Sequence, residues 1–115
     1  ANGVGRRAGF VASDWGEALA GRFDLVVSNP PYIRASDIPA LEPEVSRHEP
    51  LSALAGGPDG LSALRSVFRD AARLLAPDRY VMVEIGSDQA GEAAQAAGAA
   101  GLDPLEVRRD LAGHP

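Results

Sequence analysis

The 115-residue sequence contains no cysteine. That absence removes a disulfide framework, a thiolate metal site and a cysteine nucleophile together. No apolar stretch is long enough to cross a bilayer, and no secretory pattern opens the chain. Positive charge is in deficit: 11 Lys+Arg stand against 16 Asp+Glu, a formal charge of −5. Such a balance disfavours broad, charge-driven binding of nucleic acid. Compositional extremes are missing too. With 45% hydrophobic and 23% charged residues, the chain falls outside the collagen-like and strongly disordered classes. What remains is expected to be a small, soluble, intracellular domain, at most one by length. Its 13 glycines and 9 prolines predict many turns.

Four short apolar segments read as strands: Ala8 to Ser13, Phe23 to Ser28, Tyr80 to Ile85 and, more weakly, Leu105 to Val107. Leu25, Val26 and Val27 form a continuous apolar run, which suits a strand buried on both faces of a parallel sheet. A helix is predicted between the second and third strands. Leu61, Leu64, Phe68, Ala71, Ala72 and Leu75 recur at helical spacing, with Arg65, Arg69, Asp70 and Arg73 at the other positions. Pro58-Asp59-Gly60 starts it and Pro77 stops it. A second, Ala-rich helix runs from Gln89 to Ala100, with Ser87 and Asp88 as capping candidates and Gly101 closing it. The alternation of strands and helices predicts an α/β layer with a mostly parallel sheet, flanking helices and right-handed crossovers. Residues 33–57 hold Pro39, Pro43, Pro50 and Gly56-Gly57 without any sustained period. A connection this long is usually functional, and it leaves the carboxyl end of a strand, where open α/β sheets bind ligands.

The strongest chemical signal is Asn29-Pro30-Pro31-Tyr32, directly after FDLVVS. The Asn29 carboxamide offers a donor and an acceptor, and so can face another amide or an amino group. Successive prolines hold the chain extended, which lets the Pro30 carbonyl serve as a fixed acceptor. Tyr32 adds a flat face for a planar group. Together these groups can grip a planar nitrogen by its hydrogens and leave its face open to an electrophile. Asn-Pro and Pro-Pro also make ordinary loops, but the place at the ligand-binding edge favours the chemical reading.

Strand-Asn-Pro-Pro-Tyr resembles the class I (Rossmann-like) S-adenosylmethionine-dependent methyltransferases that act on planar nitrogen, both adenine-N6 DNA enzymes and protein-glutamine-N5 enzymes. VVSNPPYI at 26–33, LEPEV at 41–45, HEP at 48–50, LAGGPDGL at 54–61 and RRDLAGHP at 108–115 look like the peptide chain release factor glutamine methyltransferase family. This similarity extends from about Phe10 to the end. A ribosomal protein L3 glutamine methyltransferase would share the tetrapeptide and the HEP region, whereas the RRDLAG ending looks more like the release-factor type. A DNA adenine enzyme is disfavoured by acidity and by the lack of a basic, aromatic-rich segment. A non-catalytic, protein-binding paralogue is the alternative of a different class.

The resemblance implies roles for particular residues. Asn29 and the Pro30 carbonyl would hydrogen-bond the substrate glutamine amide, with Pro31 and Tyr32 beside it. Asn29 would also border the cofactor. Trp15 would contact the adenine of S-adenosylmethionine, although a tryptophan at a strand end also fills space. Asp14 would accept from the adenine amino group or cap a following helix. The implied partners are peptide chain release factors, with no membrane and no direct nucleic-acid substrate. No general base is nominated. His48-Glu49-Pro50 reads as a loop-ordering element, since His114 stands near the chain end and no third residue has metal-ligand spacing. Glu84, inside an apolar strand, is expected to be buried and to need arginine or backbone donors. Arg6, Arg7, Arg108 and Arg109 read as solvated charge. At position 78 the family commonly has glycine, and this chain has aspartate, which tolerates turn conformations.

Two elements of the family are not found in the sequence: a glycine-rich cofactor turn after a first strand, and an acidic residue ending the second. Gly3-Val4-Gly5, Gly56-Gly57 and Gly86 all lack the strand-turn-helix context. By resemblance, residues 1–115 would be the C-terminal part of a methyltransferase domain, about strands 3 to 6 of a sheet ordered 3-2-1-4-5-7-6, with the last strand absent. Such a piece is expected to expose sheet edges and apolar faces. Alone, it is expected neither to bind the cofactor well nor to methylate.

Overall fold

Phe23–Ser28 forms strand β1, Ser62–Leu74 helix α1, Leu75–Val83 strand β2 and Ala90–Ala99 helix α2. The computed structural model describes residues 7–34, 58–109, 111 and 113. The long connection's His48-Glu49-Pro50, the LEPEV segment, Gly3 to Arg6 and His114 lie outside the described residues, as do Asp110 and Gly56-Gly57.

β1 and β2 pair in parallel, as the β–α–β alternation predicts, with Val26 opposite Val81, Val27 opposite Met82 and Ser28 opposite Val83. The register slips between Phe23, opposite Leu75, and Leu25, opposite Tyr80. β2 therefore starts well before Tyr80 and carries Pro77-Asp78-Arg79 across the irregularity, a position where a strand tolerates proline. Asp78 adopts φ +61 there, while Arg79 Nε reaches Asp24 Oδ1 at 3.0 Å. Aspartate visits the left-handed region more readily than most residues, but glycine does so at no steric cost. Asp78→Gly is therefore expected to raise stability slightly, by about 0.5 kcal/mol net of the greater freedom of the unfolded chain, read as a higher melting temperature.

α1 forms where expected. Asp59 starts it: Oδ1 accepts from Leu61 N at 3.0 Å, and Oδ2 holds Arg65 Nη2 at 2.6 Å. That arginine hydrogen bond, with the Leu61 N–H, holds the exposed Asp59 carboxyl below the usual carboxylate range. The buried face of α1 comprises Ala63, Leu64, Val67, Phe68, Ala71 and Leu74, and it also includes Asp70. Leu64 and Phe68 are almost fully enclosed, and each such burial stabilises by about 1.5–3 kcal/mol.

α2 buries Ala93 and Ala97 against Leu61, Leu64 and Phe68, with Val81, Val83, Ile85 and Leu102 packed around them. It ends on Gly101 at φ +84. Gly101 N donates to Gly98 O at 3.0 Å and Leu102 N to Ala97 O at 3.0 Å. This is a Schellman closure with its accompanying apolar contact. Neither Ser87 nor Asp88 caps the amino end; Gln89 stands at the N-cap and makes no side-chain capping bond. Gly86 lies in the turn from β2 into α2, which corrects the expectation that it lacks a strand-turn-helix context; it is a single glycine there.

Both helices pack on the Val81, Val83 and Ile85 side of the two-stranded sheet. The opposite face leaves Leu25, Val27, Tyr80 and Met82 more than half exposed. The expectation that β1 is buried on both faces is thus corrected: among the described residues, helices cover one face only. Residues 8–13 and 105–107 are also not strands. Their apolar side chains suit a sheet, but among the described residues no strand pairs with them. Phe10 is 93% exposed and Leu105 72%.

Candidate functional site

The ladder closes just past the end of β1, where Glu84 N donates to Ser28 O at 3.0 Å. The chain beyond is Asn29 to Tyr32, which departs at the carboxyl edge as the sequence predicts. Its four residues divide their work. Pro30 is fully enclosed, whereas Asn29 is exposed. The Asn29 carboxamide makes no hydrogen bond among the described residues, so the fold does not consume it. Pro31 and Tyr32 are half-buried.

Tyr32 is fixed twice. Its hydroxyl donates to Glu84 Oε1 at 3.3 Å, and its carbonyl accepts from Gln89 Nε2 at 3.0 Å. Glu84 is exposed, so the expectation of a buried carboxylate seeking arginine is corrected. Its position just past β2 leaves it in water, and a tyrosine hydroxyl is its partner. Burial first, and then the charge and hydrogen bond of Glu84, push the Tyr32 hydroxyl above the usual tyrosine range. Titrating phenolate absorbance is therefore expected to show a late phase that Tyr32→Phe removes. The sign follows from linkage. The unfolded chain loses this proton first, so the contribution is full below pH about 10 and is lost as pH rises through the raised native value.

Gln89 is 1% exposed. Its Oε1 accepts from Gly86 N at 2.8 Å, and its Nε2 lies 3.5 Å from Gly60 O in addition to the Tyr32 contact. One carboxamide therefore joins the turn after β2, the turn before α1 and the end of the Asn-Pro-Pro-Tyr segment. Arg34 adds an outer tether, with Nη1 at 3.0 Å from Asp88 Oδ2 and Nη2 at 3.6 Å from Glu92 Oε2. The Arg34 hydrogen bond holds the Asp88 carboxyl below its usual range. Sequence reasoning missed Gln89 because a glutamine opening a helix reads as solvated. The usable signal was its place between β2 and α2, three residues after Gly86.

Trp15 and Asp14 occupy a separate turn, over residues 14–18. The helix that Asp14 was expected to cap does not follow. Instead Ser13 Oγ accepts from Ala18 N at 2.9 Å, and the Asp14 carbonyl accepts from Glu17 N at 3.1 Å. Trp15 sits at φ +54 with 44% of its surface exposed, an unusual backbone for a bulky residue. Helix α1 holds this turn. Asp70 Oδ2 accepts from Gly16 N at 3.0 Å, and Arg73 donates to Gly16 O at 2.9 Å and Leu19 O at 2.8 Å. A side chain at Gly16 would stand 3.1 Å from both Asp70 Cβ and Leu74 Cδ1. Asp70 was read among the charges off the apolar stripe. Its spacing three residues after Val67 and four before Leu74 is the signal that places it on that stripe.

No hydrogen bond joins the Trp15 turn to the Asn29 segment among the described residues. An open concavity of about 310 Å³ is lined by Arg65, Arg69, Ala96, Ala99 and Ala100, none of them in either segment. Arg108 pairs with Glu106 at 2.6 Å in solvent, and Arg109 donates to Gly113 O at 2.7 Å. Among the described residues, no helix is long and apolar enough to cross a membrane.

No family model matches the chain. Individual relatives do. The release factor glutamine methyltransferase of Rhodospirillum rubrum is 50% identical over 111 residues, covering 96% of this chain and 34% of that protein. The protein of the same name from Agrobacterium fabrum is 42% identical over 113 residues, covering 98% and 39%. That of Caulobacter vibrioides is 46% identical over 109 residues, covering 94% and 38%. The chain spans between a third and two-fifths of the length of these curated relatives. Nearly end to end, the chain is a homologue of one continuous part of the release factor glutamine methyltransferases, and its parallel sheet with flanking helices is a partial Rossmann-like methyltransferase fold.

Proposed function

We propose that the complete gene product transfers a methyl group from S-adenosylmethionine to the side-chain amide nitrogen of a glutamine in peptide chain release factors. Residues 1–115 are then the C-terminal part of its methyltransferase domain, acting in the cytoplasm. The observation that carries this reading is the exposed, unconsumed Asn29 carboxamide on a segment anchored by Pro30, Tyr32 and Gln89.

An amide nitrogen is a weak nucleophile because its lone pair is delocalised into the carbonyl. The bound donor supplies an electrophilic methyl on a sulfonium, so this chain's residues have mainly to place the nitrogen in line. The Asn29 side-chain oxygen accepts one amide hydrogen and the Pro30 carbonyl the other. Both contacts stabilise the positive charge that develops as the nitrogen–carbon bond forms and the methyl–sulfur bond breaks. A nitrogen-bound proton then passes to solvent. Tyr32, its hydroxyl occupied by Glu84, offers its ring to the flat amide. The Trp15 turn, fixed by Asp70 and Arg73, offers an exposed indole for the adenine of the donor, with Asp14 beside it.

The test incubates the complete gene product with labelled donor and, separately, release factor, ribosomal protein L3 and DNA. Label on the release-factor glutamine is the expected result. Label confined to the ribosomal protein or to DNA selects the corresponding rival, and no label on any substrate selects the non-catalytic paralogue.

A further inference from the structure

We infer that Gln89 is a positioning residue for methyl transfer: through its buried carboxamide it fixes the backbone that carries Asn29 and Pro30. The inference rests on the function proposed above and adds a residue outside the Asn-Pro-Pro-Tyr segment.

Three observations carry it. First, Gln89 is almost fully enclosed, and both ends of its carboxamide are engaged, Oε1 by Gly86 N at 2.8 Å and Nε2 by Tyr32 O at 3.0 Å. A buried amide so satisfied has one orientation, because flipping it would face its NH2 to an N–H and its oxygen to a carbonyl. Secondly, the surroundings leave room for it. A Cβ at Gly60 would lie 2.7 Å from Gln89 Nε2, and one at Gly86 would lie 2.8 Å from Oε1. Both turns thus approach the carboxamide more closely than any side chain allows. Thirdly, the contact falls on the carbonyl of Tyr32, the last residue of the motif, while the first is tied through Ser28 O to Glu84 N. The segment is pinned at both ends, with Pro30 buried between them.

The two halves of the carboxamide do different work. The acceptor half closes the turn from β2 into α2. The donor half alone reaches the motif. Gln89→Glu keeps the acceptor and loses the donor while its carboxyl is ionised. Burial raises that carboxyl's pKa, and below the raised value the protonated acid donates to Tyr32 O again. The titratable and charged groups on the neighbouring segments are Tyr32, Arg34, Asp59, Glu84, Asp88 and Glu92.

The experiment measures single-turnover methylation of release factor by the complete gene product, as wild type, Gln89→Leu and Gln89→Glu, from mildly acidic to mildly alkaline pH. Circular dichroism reports whether each variant is folded. The expected result for Gln89→Leu is a rate roughly a hundredfold lower, the scale of a misplacement of about 1 Å, with little change in the donor concentration that gives half-maximal rate. Gln89→Glu is expected to match that loss at alkaline pH and to recover towards wild type as pH falls, a limb that neither of the others shows. Folded variants with wild-type rates, or a folded Gln89→Glu without the acidic recovery, overturn the inference. If Gln89→Leu does not fold, the Gln89→Glu profile decides alone. If neither variant folds at any pH, Gln89 is a folding residue and the inference is overturned. An inactive wild type would instead refute the function on which the inference rests.

Discussion

Replacing Asn29 by alanine in the complete gene product is expected to lower the rate of glutamine methylation by about 10²–10³-fold, the loss seen when one directed hydrogen-bonding group is taken from a reacting centre. The fold should not notice. Asn29 is exposed, and its carboxamide bonds to nothing among the described residues, so stability should stay within about 0.5 kcal/mol of wild type. A purely structural asparagine would give the reverse pattern, with a lower melting temperature and an unaltered rate per folded molecule. Asn29→Asp sharpens the test. The carboxylate still accepts from the substrate amide but no longer donates. A rate closer to wild type than that of Asn29→Ala would show that acceptance from the amide hydrogens is the larger contribution. Initial rates with labelled donor, normalised to folded protein, measure both variants.

The second large effect falls on stability. Gly60 has φ +77, and a Cβ there would meet Tyr32 O at 2.5 Å and Gln89 Nε2 at 2.7 Å. Gly60→Ala therefore combines a left-handed backbone penalty with an overlap against backbone that cannot swing aside. The expected loss is about 2–4 kcal/mol, read by denaturant melts of the complete gene product. The damage should not stay local. To make room, either the turn before α1 or the Tyr32 carbonyl has to move, so the surviving folded fraction should methylate more slowly than wild type. A melt unchanged to within 0.5 kcal/mol would show that the approach of the two turns is looser than described.

How much of this was legible in the sequence depends on what kind of force fixes each element. The Phe23–Ser28 strand, both helices and the later part of β2 could be read from apolar periodicity, because local pattern and burial agree there. The early part of β2 could not. Pro77 reads as a stop, and only the partner strand's register shows that the chain continues as an irregular strand. Residues 8–13 and 105–107 have strand composition without a strand partner, a distinction composition does not encode. The motif itself was legible because its chemistry sits in adjacent residues. Its support was not: Gln89 and Gly60 lie 57 and 28 positions beyond Tyr32 in the chain and meet it only in three dimensions. Glu84 was misread for a related reason, since a carboxylate within an apolar run looks buried until one face of the sheet is seen to be open.

The attachment of the 13–22 segment to α1 has a property of its own. Arg73 donates to the carbonyls of Gly16 and Leu19, and Arg22 donates to those of Arg73 and Leu75 at 3.0 and 3.3 Å. In each bond the donor is a guanidinium N–H and the acceptor is a neutral backbone carbonyl. Arg34, by contrast, pairs with the Asp88 and Glu92 carboxylates, and dissolved ions screen such exposed pairs. Raising ionic strength thus weakens the outer Arg34 pairs with Asp88 and Glu92 while leaving the guanidinium–carbonyl stitches of Arg22 and Arg73 nearly untouched. Salt separates two kinds of attachment within one small fold, ionic at Arg34 and dipolar at Arg22 and Arg73.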